Sequence, residues 1–253
     1  MKNSALYLFF LASLVSCNIY APFQSNLGTQ GILEEALKCY RDGDIACAIS
    51  YYNQLSDGSL KSRQLCTAYM YKAGMGLSQL INTTQKSSGM LEALANELAP
   101  WSSTKGSDAQ TAVTHCSNYK TQESGGTNER EGILFKAISI FMDCAVRIAK
   151  SDQINQNGAA GSCDHTANNI GISGNGTITK ADLDSGGDNG INGNLTNEQG
   201  MCDDDANACA TNLQGVSSEL TGAGLGNFDT IPAGLAGAAA AAARGFIIND
   251  FTN

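Results

Sequence analysis

The chain has 253 residues, with 15 basic and 24 acidic side chains that give a formal charge of −9 at pH 7. Nucleic-acid binding needs a clustered basic face to neutralise phosphates, and the sequence contains no such cluster, so we exclude nucleic acids as partners. A chain of this length can form one large domain or two modest ones.

The first seventeen residues have the pattern of an export signal. Lys2 precedes an almost wholly apolar run over residues 5–15, which is too short to cross a hydrocarbon core of about 30 Å. The run ends in Leu-Val-Ser-Cys, which resembles the lipobox of bacterial lipoproteins. That resemblance implies that residues 1–16 are removed, that Cys17 takes a diacylglycerol, and that its new amino terminus is acylated, for example with palmitate. An ordinary signal peptide, with Cys17 paired elsewhere, is the alternative.

Residues 17–30 lack a helical period and are predicted to be a tether. From residue 31 the apolar spacing becomes helical, with a break at Gly43 and a plausible N-cap at Asp44. We expect a helical hairpin whose first stripe holds Leu33, Ala36, Leu37 and Tyr40, and whose second holds Ile45, Ala48, Ile49, Tyr52 and Leu55. A second hairpin is expected to turn at Gly74 and to continue through residues 77–81.

The first hairpin resembles a tetratricopeptide repeat. Ala36 and Ala48 match the small residues where the two helices of a repeat touch, Gly43 lies in the turn, and Tyr52 matches the aromatic that packs on the next repeat. The resemblance implies a stack of helical hairpins. An irregular antiparallel bundle is the alternative.

Three further helices are predicted before residue 150. One covers residues 90–98, a second is capped by Ser107 and Asp108, and a third begins with a capping box formed by Asn128 and Glu131. The apolar stripe of the third helix holds Leu134, Ile138, Phe141, Ala145 and Ile148. Residues 31–150 are therefore predicted to be one all-α domain.

Residues 151–230 differ in composition, with eleven acidic side chains against the single Lys180. Fourteen glycines and twelve asparagines leave few large apolar side chains to offset the backbone entropy of folding. We therefore predict an acidic Gly/Asn/Asp-rich loop segment without a core of its own. Residues 231–253, with their alanine run, are predicted to form a C-terminal helix that packs on the helical domain.

Eight cysteines besides Cys17 form an even set, which in an exported chain is typical of up to four disulfides. They are Cys39, Cys47, Cys66, Cys116, Cys144, Cys163, Cys202 and Cys209. We expect Cys116 to bond to Cys144 across a helix pair. Buried free thiols are the alternative.

The sequence of the acidic segment suggests two kinds of metal site, one for calcium and one for zinc. Residues 174–182 resemble the latter half of an EF-hand loop, and a looser calcium site uses the carboxylates of Asp182, Asp184 and Asp188. The alternative is a solvated acidic loop that binds no cofactor. A zinc site would use four soft ligands, Cys163, His165, Cys202 and Cys209.

The expected function is that of a cell-envelope lipoprotein, anchored to the bilayer through acylated Cys17 and facing the periplasm or the cell exterior. Asn18 is not the Asp that resembles an inner-membrane retention signal, so the outer membrane is favoured. We expect its helical surface to bind an envelope or extracellular protein or peptide. The alternative is a calcium-dependent surface adhesin that uses residues 151–230. The chain has only two histidines, His115 and His165, and no catalytic motif, so we do not expect an enzyme.

Overall fold

The computed structural model describes residues 28–76, 90–99, 101–150, 155–156, 198–199 and 203–224. Within them lie the helices and strands α1 Thr29–Arg41, α2 Ile45–Tyr52, α3 Ser59–Lys72, α4 Met90–Leu98, α5 Ser103–Gln122, α6 Glu129–Lys150, β1 Asn155–Gln156, β2 Glu198–Gln199 and α7 Asp203–Gly222. The strands are two residues each and pair antiparallel. The described residues confirm the predicted all-α class.

Two compact units divide the chain, Met1–Leu55 and Ser56–Asn253. The first hairpin lies in the first unit and the helices from α3 onwards lie in the second. The predicted domain boundaries stay a prediction. Residues 17–27 of the tether, residues 77–81 of the second hairpin and the predicted helix over residues 231–253 lie outside the described residues. The end of the predicted tether was wrong, because Thr29 and Gln30 form the start of α1. No described helix is long and apolar enough to cross a membrane.

The first unit contains the hairpin of α1 and α2, and its turn follows the prediction. Gly43 has φ +76° and donates its N–H to the Tyr40 carbonyl, while the Asp44 N–H reaches the Cys39 carbonyl at 2.9 Å. These two bonds satisfy carbonyls that the end of α1 would otherwise leave unpaired. The Asp44 carboxylate then accepts the Cys47 N–H at 2.9 Å, which confirms it as the N-cap of α2.

The two helices of this hairpin agree with the predicted stripes to different degrees. The five residues predicted for the second stripe are all buried. On α1 the buried residues are Ile32, Ala36 and Cys39, whereas Leu37 is 48% exposed. The prediction that Leu37 belongs to the buried stripe was wrong, because the buried face of α1 lies one residue earlier.

In the second unit α6 is the central helix, and α4, α5 and α7 pack on it. Helices α3 and α5 are antiparallel, since Cys66 meets Cys116 while Lys72 meets Asp108. Helix α5 also approaches α6 closely: a Cβ added at Gly132 would lie 2.8 Å from the Lys120 Cα. Only glycine allows the two backbones to come so near.

The burial of α6 explains an error in its predicted stripe. Its C-terminal half is buried on nearly every side, because α4, α5 and α7 all contact it. Towards its N-terminus Ile133 and Ala137 are buried, whereas Leu134 is 46% exposed. The predicted positions Phe141, Ala145 and Ile148 are buried as expected.

Helix α7 is the largest departure from the sequence prediction. The acidic segment 151–230 was expected to be a loop without a core, yet residues 203–222 within it form a helix. Four of its residues join the hydrophobic core of the second unit, namely Cys209, Leu213, Val216 and Leu220. These four apolar residues recur at helical spacing, and the surrounding glycine and asparagine content obscured that pattern.

The caps of α5 and α6 also differ from the prediction. Helix α5 begins earlier than expected, because the Ser102 hydroxyl accepts the Lys105 N–H at 3.2 Å, and Asp108 pairs instead with Lys72 at 2.9 Å. Helix α6 begins at Glu129, directly after Asn128, as predicted. Both carboxylate oxygens of Glu131 are engaged elsewhere in the unit.

Candidate functional site

An open cavity of about 420 Å³ lies where α5, α6 and α7 meet, at the C-terminal ends of α5 and α7 and the N-terminal end of α6. Its lining consists of Lys120, Glu129, Arg130, Ile133, Glu219, Gly222 and Ala223. Four of these seven side chains are ionisable, so the cavity is polar.

Glu219 is the residue of this cavity with an unmet hydrogen-bonding requirement. Its Oε1 accepts a hydrogen bond from Lys136 Nζ at 2.6 Å and lies 3.6 Å from Lys120 Nζ. Its Oε2 is buried and has no hydrogen-bond partner among the described residues. A buried carboxylate oxygen left in this state costs about 1–3 kcal/mol. Because Oε2 is buried, it presents no surface to the cavity.

Two further charged side chains at the cavity, Glu129 and Arg130, are not engaged in ion pairs within the described part of the chain, and Arg130 is exposed. Both lie in the first turn of α6, where the helix dipole favours an anion. The cavity therefore presents acceptors and donors side by side.

Little in the amino-acid pattern indicates this cavity. Glu219, Gly222 and Ala223 are spaced to share one face of α7, but that spacing is equally typical of an ordinary helix. The cavity depends on α5, α6 and α7 packing together, which the loop prediction for residues 151–230 excluded.

The opposite end of α6 carries a buried charge cluster. Arg147 donates to Asp143 at 2.8 Å and to Asp205 at 2.7 Å, and Lys150 donates to Asp205 at 2.9 Å. Burial raises the pKa of the Asp143 carboxyl, and the Arg147 guanidinium opposes that rise. The cluster joins α6 to α7 with its polar groups paired, which is typical of a structural connection.

The contacts of His115 are those of a residue that packs the fold together. Its ring stacks on Tyr69 with centroids 5.5 Å apart, and Lys72 Nζ lies 5.7 Å from the same Tyr69 ring. Burial, with a smaller contribution from the Lys61 charge, lowers the pKa of His115. The neighbouring Cys116 is bonded to Cys66, so it is not a free thiol beside a base.

Six of the eight predicted cysteines are paired. The pairs are Cys39–Cys47, Cys66–Cys116 and Cys144–Cys209, with Cα atoms 5.7, 4.8 and 4.9 Å apart. The predicted bond between Cys116 and Cys144 was wrong, because Cys116 faces α3 while Cys144 faces α7. Cys17, Cys163 and Cys202 lie outside the described residues.

The predicted metal ligands cannot be placed together. Asp182, Asp184 and Asp188 all lie outside the described residues, as does His165. The zinc prediction loses one ligand, because the Cys209 sulfur is bonded to Cys144. The described ranges contain no group of three or more His, Cys, Asp or Glu side chains arranged to hold a metal ion.

Compared with protein-family models, curated proteins and solved structures, the chain shows no significant match, so its function is argued from its own residues.

Proposed function

We propose that the chain is a lipid-anchored protein of the cell envelope whose helices bind a protein or peptide partner. The proposal joins the lipobox-like ending at Cys17 to the cross-linked helical body. Acylation would hold the mature chain at a membrane, favoured as the outer one, with the body in the periplasm or at the cell surface.

The observation that carries the proposal is the set of three cystines. Each joins two different helices at Cα separations within the usual range for disulfides. Disulfides persist in oxidising compartments and are rare in the cytosol. Paired cysteines and an apolar leader are independent features, and both favour export.

A binding surface is suggested by the exposed leucine of the first hairpin. Leu37 is 48% exposed on α1, between the charged residues Glu34 and Arg41 of the same helix face. We take this exposed leucine as the candidate anchor for the partner, because apolar anchors contribute much of the energy of protein interfaces.

The experiment uses the soluble form that lacks residues 1–17. This form is cross-linked in envelope extract, the captured protein is identified by mass spectrometry, and its affinity is then measured with purified components. Leu37→Glu is expected to weaken binding by about tenfold or more. Leu134→Glu is the matched control, because Leu134 is 46% exposed on α6 of the other unit.

The outcomes separate the competing functions. Loss of affinity in Leu37→Glu alone supports binding through the first hairpin. Equal loss in both variants, or in neither, contradicts it. Loss of binding on calcium chelation, with Leu37→Glu unaffected, would favour the adhesin that uses residues 151–230.

A further inference from the structure

We propose that the Cys39–Cys47 cystine is a site of reversible thiol–disulfide exchange, which an external dithiol opens while the other two cystines of the described residues stay closed. This inference goes beyond the partner binding proposed above and does not depend on it. It rests on three properties of this cystine: its exposure, the short chain that it closes, and the other contacts that hold its hairpin together.

The first property is exposure. In thiol–disulfide exchange an attacking thiolate must reach one of the two sulfur atoms, so the rate depends on access. The four cysteines of the other two cystines are at most 1% exposed. Cys47 is partly exposed, and its partner Cys39 is 7% exposed. Among the six paired cysteines, Cys47 is therefore the one most open to attack.

The exchange needs only the two sulfur atoms and the dithiol. One thiolate of the dithiol attacks Cys47 Sγ, the cystine bond breaks, and Cys39 Sγ leaves as a thiolate that takes a proton from water. The second thiolate then attacks the reagent sulfur that is bonded to Cys47, so Cys47 leaves as a thiolate and the reagent closes its own disulfide. Two electrons thus pass from the dithiol to the cystine, and the same steps in reverse close the bond again.

The second property is the short chain that the bond closes. Cys39 and Cys47 are 8 residues apart, whereas the other two bonds join residues 50 and 65 apart. The entropy that a disulfide removes from the unfolded chain grows with the length of the closed loop. Opening this bond therefore costs less stability than opening either of the others.

The third property is the set of noncovalent contacts that hold α1 against α2. Gly43 and Asp44 form the turn through backbone hydrogen bonds, and the Asp44 carboxylate caps α2. The rings of Tyr40 and Tyr52 lie 6.1 Å apart across the hairpin, and Tyr52 is only 5% exposed. None of these contacts uses a sulfur atom, so we expect the reduced hairpin to stay folded and its two thiols to bond again with each other.

The experiment treats the oxidised full chain, in detergent solution without denaturant, with graded concentrations of dithiothreitol for a fixed time. Alkylation with iodoacetamide marks the opened cysteines, and peptide mapping by mass spectrometry locates them. We expect Cys39 and Cys47 to be alkylated at dithiothreitol concentrations at least about tenfold lower than the other two cystines require. In an unalkylated sample, removal of the reductant and addition of oxidised glutathione should restore the Cys39–Cys47 pair.

Urea distinguishes attack on the folded hairpin from attack after unfolding. A buried cystine reacts only when the structure around it opens, and urea promotes that opening. Below the unfolding midpoint, urea should therefore raise the rate of reduction of the other two cystines and leave the rate at Cys39–Cys47 nearly unchanged.

A pair of variants tests whether the hairpin keeps its structure without the bond. Cys39 and Cys47 are replaced together by alanine in one chain, and Cys144 and Cys209 in the matched control. The first chain is expected to keep the helical circular dichroism signal of the parent. Its urea midpoint should fall less than that of the control, because the bond that it lacks closes the shorter loop.

Three results would overturn the proposal. One is that all three cystines open at the same dithiothreitol concentration, because no site would then be preferred. Another is that reduction of Cys39–Cys47 requires urea, since its sulfur atoms would then be closed to attack in the folded chain. The third is re-oxidation to a different pairing, or loss of helical signal in the variant without Cys39 and Cys47, either of which would make the bond a fixed part of the hairpin.

Discussion

The Asp205 carboxylate accepts hydrogen bonds from two cationic side chains in the described structure. Arg147 Nη1 and Lys150 Nζ each donate to one of its oxygens, and its side chain is only 7% exposed. Removing one member of a buried ion cluster leaves the others charged, desolvated and unpaired, and this loss outweighs the modest net value of the intact pairs.

Asp205→Ala is therefore expected to lower the free energy of unfolding by about 3 kcal/mol. Asp57→Ala is the control, because Asp57 also pairs with a lysine but is 97% exposed, and it should change the value by less than about 1 kcal/mol. Chemical denaturation of both variants measures the difference. Similar values for the two would show that the buried cluster is no more important than a surface pair.

His115 gives the protein a pH dependence with a definite sign. Burial lowers its pKa in the folded state, so near pH 6 the unfolded chain binds more protons than the folded one. The stability that His115 contributes is complete above its ordinary pKa of 6.5 and is lost as the pH falls through the lower folded value. His115→Phe keeps a ring against Tyr69 but removes the titration.

We expect the wild-type chain to lose stability relative to His115→Phe when the pH is lowered from 7.5 to 5. Urea denaturation at several pH values gives the comparison, and titrating groups shared by both proteins cancel in the difference. A difference that stays constant with pH would contradict the predicted shift.

Cys17 is expected to be the site of lipid attachment. Cys17→Ser should accumulate unprocessed precursor or release protein from membranes in a detergent partition, because the acyl chains are its proposed anchor. Metabolic labelling with a fatty-acid probe provides the measurement. A variant that still takes up the probe would place the lipid elsewhere.

At the scale of elements, the cystine between α6 and α7 fixes the least expected helix of the fold. Cys144 and Cys209 are both about 1% exposed, and the chain between them is long. Bonds that close long loops remove much entropy from the unfolded chain, typically with a gain of about 2–4 kcal/mol.

Replacing Cys144 and Cys209 together with alanine is thus expected to reduce the free energy of unfolding by about 2–4 kcal/mol. Peptide mapping without reduction should find all three pairs of the structure in the parent chain. Alkylation of the denatured parent should detect no more than two free thiols besides Cys17. Four or more would contradict the disulfide framework.

The sequence was informative where local chemistry determines the structure. Gly43 and Asp44 mark a turn and a cap because a positive φ and a carboxylate near free N–H groups have few alternatives. Leu37 and Leu134 were misplaced because a helix with several apolar residues allows two neighbouring faces, and the choice depends on what packs there. Pairing Cys144 with Cys209 required knowing that α7 exists.

For the whole molecule, the charge imbalance of residues 151–230 acquires a different meaning. The sequence suggested that it marks a boundary, because eleven acidic groups stand against one lysine. In the structure, two of those groups meet basic side chains of α5 and α6: Asp205 pairs with Arg147 and Lys150, and Glu219 lies beside Lys120 and Lys136. The acidic groups thus help to hold α7 against the basic side chains of α5 and α6, in addition to setting the composition of the segment apart from the rest of the chain.

Two shortened chains test whether α7 belongs to the core of the second unit. One joins Lys150 to residue 231 through a Gly/Ser linker, and it loses the core residues Leu213, Val216 and Leu220. Burial of such side chains contributes about 1.5–3 kcal/mol each, so their loss is comparable with the whole stability of a domain. We expect that chain, with Cys144 changed to serine, to lose cooperative unfolding.

The second chain removes only residues 157–197. Gln156 and Glu198 are register partners in the β1–β2 pair, so an Asn-Gly turn can join them. With Cys202 changed to serine, this chain should still melt cooperatively. Circular dichroism during heating measures both chains, and cooperative melting of the first would show that α7 is dispensable.

The connectivity of the three cystines has a consequence for biosynthesis. Cys39 and Cys66 are each bonded to the next cysteine in the chain, whereas Cys144 passes over Cys163 and Cys202 to reach Cys209. In a chain that enters an oxidising compartment amino terminus first, the first two bonds can close as soon as the next thiol arrives. The third requires Cys144 to stay reduced until α7 emerges, or to exchange an earlier partner by thiolate attack. With Cys17 blocked by its proposed lipid, the order in which the other cysteines are delivered suffices for the first two bonds but not for the one that holds α7 to α6.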